Sequence, residues 1–143
     1  MSHRKSHSTA WDVKLSPAVS HRDRCTRRRL SFWPGRCLFA IFEPRSNTAG
    51  RKLFEEDYVR AFEGADVVVI VPVFHAKRLP PEARIDREAL VGRLASKGRP
   101  AFAPDSIDAI PSILRREAKP GDVLILMSSG AFGGLPQSLL NLL

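Results

Sequence analysis

Residues 66–74, DVVVIVPVF, are almost continuously apolar and β-branched. Branching at Cβ favours extended backbone, and a run without polar alternation belongs to a strand covered on both faces. A layered α/β arrangement supplies that cover, with helices on either side of a sheet. The same signature recurs at residues 37–42 (CLFAIF) and 122–127 (DVLILM), with a weaker strand at 99–104. The 66–74 run is expected at the centre of the sheet, and 122–127 is expected to be another doubly buried strand.

Helical spacing fills the gaps. Over residues 51–63, Leu53, Phe54, Tyr58, Ala61 and Phe62 recur every three or four positions and predict one buried face, with Gly64 as the residue after the helix. Residues 86–97 carry Leu90, Val91 and Leu94 before the stop at Gly98. Asp105 or Ser106 caps a third helix bearing Ile107, Ile110, Ile113 and Leu114, where Pro111 fits only within the first turn. A last helix presents Leu139, Leu140 and Leu143. Four strand–loop–helix units in succession predict an α/β domain with a Rossmann-like, mostly parallel sheet and helices on both faces.

The formal charge of +8 is concentrated at the front: residues 1–36 hold nine of the 23 Lys/Arg and two of the 15 Asp/Glu, leaving 14 bases against 13 acids. Residues 1–31 show no apolar periodicity, too little to offset the entropy of ordering them. They are expected to be a disordered basic tail ahead of a folded domain at 32–143. Such a tail grips phosphates without sequence preference, so the alternative function is a nucleic-acid-binding module acting through it. Cys25 and Cys37 fit no zinc ligand spacing, and no run approaches a membrane span, so a cytoplasmic protein without a membrane partner is expected.

In open parallel sheets, ligands bind beyond the carboxyl ends of the strands. Two loops there stand out. Residues 43–51, EPRSNTAGR, place Arg45 and Arg51 between a strand end and a helix start, which suits a carboxylate or phosphate. Equally, Ser46 or Thr48 could cap a simple turn with solvated arginines. Residues 128–134, SSGAFGG, combine hydroxyls with glycines that let a ligand approach the backbone. His75 lies with Lys77 and Arg78 in a third loop; three of the four histidines are in the tail. No nucleophile–base pair, metal cluster, Gly-Lys-Ser/Thr phosphate loop or G-x-G-x-x-G fingerprint occurs.

Glu43-Pro44-Arg45-Ser46-Asn47-Thr48, Phe54-Glu55-Glu56-Asp57-Tyr58, Pro72-Val73-Phe74, Lys119-Pro120-Gly121-Asp122-Val123 and Met127-Ser128-Ser129-Gly130-Ala131-Phe132-Gly133-Gly134, in this order, resemble the C-terminal domain of the Mur ligases. The likeness is greatest to the muropeptide-recycling group, the UDP-N-acetylmuramate:L-alanyl-γ-D-glutamyl-meso-diaminopimelate ligases, and covers residues 32–143. It implies a bacterial, ATP- and Mg-dependent amide-bond former of peptidoglycan recycling. In that family a muramate carboxylate is activated by ATP and attacked by the amine of the incoming peptide. A UDP-sugar domain and a P-loop ATPase domain share the work with a C-terminal domain that closes over ATP and presents the amine substrate.

The resemblance places Arg45 and Asn47 near the nucleotide, and Arg51 with Ser128, Ser129 and Gly130 around the muropeptide. It implies no catalytic residue and no metal ligand within these residues. The P-loop lysine and the Asp- and His-containing segment with which such domains begin are both missing. The expectation is a truncated, catalytically incompetent fragment, with residues 1–31 out of frame or non-native; the alternative is a split enzyme in which a separate chain carries the missing N-terminal and central domains.

Overall fold

The structure, a computed structural model, describes residues 36–142. The expected basic tail at 1–31, its nucleic-acid role and the expected place of Leu143 lie outside the described residues. The elements are β1 (Leu38–Phe42), α1 (Glu55–Ala61), β2 (Val67–Ile70), α2 (Arg87–Ser96), β3 (Ala101–Phe102), α3 (Ile110–Glu117), β4 (Val123–Met127) and α4 (Leu135–Leu142). The four strands form one parallel sheet in the order β3-β2-β1-β4, with Phe39 opposite both Val67 and Leu124. The predicted α/β class is what forms.

Period-two alternation explains why β1 and β2 are apolar at every position. Phe39, Ile41, Val67, Val69 and Val71 face Ile110, Ile113 and Leu114 of α3 and Leu135 and Leu139 of α4. Ala40, Val68 and Ile70 face Val59 of α1 and Leu90, Val91 and Leu94 of α2. Each strand therefore feeds two cores. The start of the sheet is tied by two carboxylates: Leu38 N–H donates to Asp66 Oδ2 at 2.7 Å and Cys37 N–H to Asp122 Oδ1 at 3.0 Å.

The stop at Gly98 follows the predicted chemistry, and the structure adds a cap at Asp86. Asp86 accepts from Ala89 N–H at 3.0 Å to start α2, and Gly98, at φ 80°, ends it in the left-handed region. Of the two candidate caps before α3, Ser106 accepts from Asp108 N–H at 3.1 Å, and Pro111 sits in the first turn.

Several expectations are corrected. The 66–74 strand ends at Ile70, because Pro72 brings no N–H to the ladder. The 122–127 strand is an edge strand with Ile125 42% exposed, not a doubly buried one. On the first helix, Val59 and Phe62 are buried whereas Ala61 is exposed and Leu53 is 78% exposed. The backbone there passes from a 3-10 turn (Lys52–Phe54) through α1 to another 3-10 turn (Phe62–Gly64), so a constant 3.6-residue phase misses Val59 and wrongly includes Leu53 and Ala61, while Phe62 and the half-buried Tyr58 of the expected stripe do pack on the core. Gly64 closes that second turn without entering the left-handed region. On α4, Leu139 is buried but Leu140 is 64% exposed. No helix among the described residues is long and apolar enough to cross a membrane.

Candidate functional site

The strand order reverses direction between β1 and β4, so the loops leaving these two neighbours diverge and open a crevice at the carboxyl edge. The two loops singled out from the sequence, 43–51 and 128–134, flank that crevice. Glu43 joins them. Its N–H donates to Met127 O at 2.9 Å, continuing the β1–β4 pairing past the strand end. Its carboxylate is buried; Oε1 accepts the Ser128 hydroxyl at 2.6 Å and lies 3.6 Å from Arg45 Nη1. Ser128 Oγ in turn accepts Gly130 N–H at 3.1 Å, which bends the 128–130 segment toward β1.

Arg45 is the cation this arrangement holds. Its guanidinium carbon stands 3.6 Å from the centroid of the Phe74 ring. A Cβ on Gly130 would lie 2.2 Å from Arg45 Nε, so the guanidinium occupies the space a side chain at 130 would need. Stacking on an aromatic face and pairing with a buried carboxylate pre-organise a fork that suits a carboxylate or phosphate oxygen. The Arg45 side chain is 27% exposed, which leaves part of it open to a ligand.

Phe74 is placed by its N–H, which donates to Pro44 O at 3.1 Å, and His75 meets its ring edge-on at 4.3 Å. Desolvation, then the nearby Arg78 and Arg45 charges, hold the His75 imidazole below its ordinary 6.5. His75 is therefore neutral near pH 7 and leaves the positive charge to the arginines. Arg87 reaches the same edge from α2: Nη1 donates to Ile70 O and to Pro104 O, each at 2.9 Å, and ties the end of β2 to the loop after β3. An open cavity of about 370 Å³ between these loops is lined by Glu43, Phe74, Ser106, Asp108 and Gly133, among others.

Of the predicted site residues, the structure brings Arg45, Ser128 and Gly130 together. Ser129 is exposed beside them. Asn47 is exposed in a turn where Ser46 Oγ accepts Ala49 N–H at 2.9 Å. Arg51 is exposed too and pairs by backbone with Arg84 in an isolated antiparallel bridge. Its side chain makes no hydrogen bond or ion pair among the described residues. Both readings of the 43–51 loop are thus realised in part: Ser46 caps a turn and Arg51 is solvated, while Arg45 is held at the crevice.

Glu43, Phe74 and Arg87 were not singled out from the sequence. Glu43 could have been, as an acid directly following the apolar run 37–42 where a solvated residue is the rule. Among the described residues no group of three His, Cys, Asp or Glu is placed to hold a metal ion. The sequence also carries no P-loop lysine.

No family model matches the chain. It is 35% identical over 112 residues to UDP-N-acetylmuramate–L-alanine ligase of Verminephrobacter eiseniae, covering 78% of this chain and 23% of that protein. The ligase of the same name from Paraburkholderia phytofirmans is 36% identical over 105 residues, covering 73% of this chain and 22% of that one. The chain thus spans less than a quarter of the length of the curated relatives it matches. Among solved structures, a domain of a UDP-N-acetylmuramate:L-alanyl-γ-D-glutamyl-meso-diaminopimelate ligase from Haemophilus ducreyi superposes with a TM-score of 0.51 at 24% identity, covering 74% of this chain and 68% of that one. A murein peptide ligase from Psychrobacter arcticus gives 0.58 at 24% identity, covering 78% and 22%. These two share the fold.

Proposed function

We propose, for a chain whose homologous stretch belongs to the Mur ligase family as a C-terminal domain, that the crevice between β1 and β4 presents the incoming peptide to an activated muramate. The observation that carries this reading is the Arg45 guanidinium held between Phe74, Gly130 and the buried Glu43 carboxylate. The peptide of muropeptide recycling, L-alanyl-γ-D-glutamyl-meso-diaminopimelate, is anionic. Arg45 matches its carboxylate chemistry, and Ser128, Ser129 and Gly130 form the adjoining wall. This exchanges two roles inferred from the resemblance: Arg45 takes the substrate carboxylate, and the exposed Asn47 and Arg51 are left for the nucleotide.

In this reading the chain's own residues bind and orient. Glu43 fixes Arg45 and Ser128, Phe74 shields one side of the guanidinium, and neutral His75 adds no competing charge. ATP supplies the activation of the muramate carboxylate, with its phosphate grip coming from outside these 143 residues. The reaction is cytoplasmic, in peptidoglycan recycling. The chain alone, given ATP, UDP-N-acetylmuramate and the tripeptide, is expected to release no ADP above a protein-free control.

Calorimetric titration of the tripeptide tests the binding role. Arg45→Ala is expected to weaken binding roughly tenfold to a hundredfold, the size of a lost charge-assisted contact of about 1.5–3 kcal/mol. Arg51→Ala should change it by less than about threefold, as for an exposed charge making no fixed contact. A larger loss from Arg51→Ala than from Arg45→Ala would overturn the assignment.

A further inference from the structure

The cavity of about 370 Å³ at the carboxyl edge of the sheet is lined by a residue whose carboxylate is only half satisfied. Glu43 is the one buried residue of the lining, with its side chain 1% exposed, and so forms the floor. Its Oε1 accepts the Ser128 hydroxyl and faces Arg45 Nη1. Its Oε2 accepts no hydrogen bond among the described residues. A buried carboxylate oxygen without a donor is costly, and beside a cavity the donor that relieves it comes from a ligand.

The remaining lining sets the chemistry of that ligand. Asp108 is exposed at the rim, and its carboxylate makes no hydrogen bond or ion pair among the described residues. No lysine or arginine lines the cavity: Arg45 lies over the Phe74 ring, and Arg87 is turned to Ile70 O and Pro104 O. Two carboxylates without a cation in the same wall favour a positively charged guest. The rest of the wall is largely apolar, from Pro72, Val73, Phe74 and Ile107. A bare metal ion asks for more oxygen ligands than this, and among the described residues no group of three His, Cys, Asp or Glu is placed to hold one. An ammonium on a carbon chain meets both demands, with its head donating to Glu43 and its methylenes lying on the apolar wall.

We propose that this cavity is a subsite for a primary alkylammonium group, with Glu43 as its inner acceptor and Asp108 as the charge that draws it in. The inference rests on the reading of the crevice as the peptide site: Arg45 takes a carboxylate of the incoming peptide, and the cavity takes an ammonium of the same peptide, borne by a diamino-acid side chain. Glu43 couples the two, because the carboxylate that receives the ammonium also stands 3.6 Å from Arg45 Nη1. The ligand's opposite charges are therefore bound side by side. A peptide ending in a neutral side chain fills the Arg45 half and leaves Glu43 Oε2 without its donor, so Glu43 and Asp108 select for the diamino acid.

Amide NMR spectra of the full chain titrated with n-butylammonium chloride test this. So small a ligand is expected to bind with a dissociation constant on the order of 1–10 mM and to shift the Phe74, Asp108 and Gly133 amides. Butan-1-ol and sodium chloride at equal concentration should leave them in place. Glu43→Gln should weaken butylammonium binding about tenfold or more, and Asp108→Asn, an exposed change that spares the core, about twofold to threefold. Arg45→Ala, which weakens the tripeptide, should tighten butylammonium about twofold, because a like charge beside Glu43 is gone. That opposition separates a lost ammonium contact from a general collapse of the crevice. If Glu43→Gln fails to fold, Asp108→Asn and the shifts in the unaltered chain decide. No shift with butylammonium, equal shifts with butan-1-ol, or larger ones with magnesium chloride overturn the proposal; a tripeptide still bound through Arg45 then leaves the peptide reading standing without it. Glu43-dependent butylammonium binding by a chain that does not bind the tripeptide supports the subsite and removes the peptide reading instead.

Discussion

Gly130→Ala is expected to disable the crevice while leaving the domain folded. The new Cβ would lie 2.2 Å from Nε, 2.4 Å from Cζ and 2.7 Å from Cδ of Arg45. Those atoms are the far end of a flexible side chain, so the clash is relieved by moving Arg45 rather than backbone. Gly130 is not among the glycines held at positive φ, and alanine brings no conformational strain there. The stability change should stay within about 0.5 kcal/mol, whereas the displaced guanidinium loses both the Phe74 face and Glu43. Tripeptide affinity should then fall roughly tenfold to a hundredfold, as for Arg45→Ala. The double variant supplies the sharper measurement. If both changes act through Arg45, it should bind no worse than Arg45→Ala alone, because the two effects share one cause. Additive losses would show that Gly130 contacts the ligand by itself.

Phe39→Ala should cost the most stability. Phe39 is fully buried on β1, one of the two strands paired on both sides, and packs in the cluster containing Val67, Ile110, Leu114 and Phe132. Removing a core phenylalanine typically costs about 3–5 kcal/mol, from lost transfer energy and the cavity left behind. Against the roughly 5–15 kcal/mol that holds a domain of this size, that takes the fold to or near its limit. Leu53→Ala, at a position 78% exposed, should change stability by no more than about 0.5 kcal/mol. Urea denaturation of both variants checks the pair. A loss below about 1 kcal/mol at Phe39 would mean that the core closes over the gap and that β1 is not its centre.

The crevice was legible in the sequence in outline. Arg45, Ser128 and Gly130 could be named because strand ends before helix starts are where parallel sheets bind ligands, and small and basic residues cluster there. That Arg45 is held at the crevice while the exposed Arg51 makes no side-chain hydrogen bond or ion pair among the described residues could not be read. The outcome depends on where the Ser46-capped turn sends the chain, and Gly50 helps set that path: its N–H donates to Ser46 O at 3.1 Å and its O accepts Ile85 N–H at 2.8 Å. Ile85 is distant in sequence, so no local pattern announces the contact.

Fold class, the number of strands, the stop at Gly98 and a cap at residue 105 or 106 followed from the sequence alone, because they rest on interactions within a few residues: alternation, side-chain capping and the φ of proline or glycine. Which strand lies at the edge did not. Residues 67–70 and 123–127 are both wholly apolar, yet Val67, Val68, Val69 and Ile70 are fully buried while Ile125 is exposed. Apolar composition records a strand's tendency to be covered, whereas strand order and the span of α1 and α2 decide which strand receives the cover. The Glu43–Ser128 bond belongs to the same category: 85 residues separate its ends, and only the β1–β4 pairing brings them within 2.6 Å.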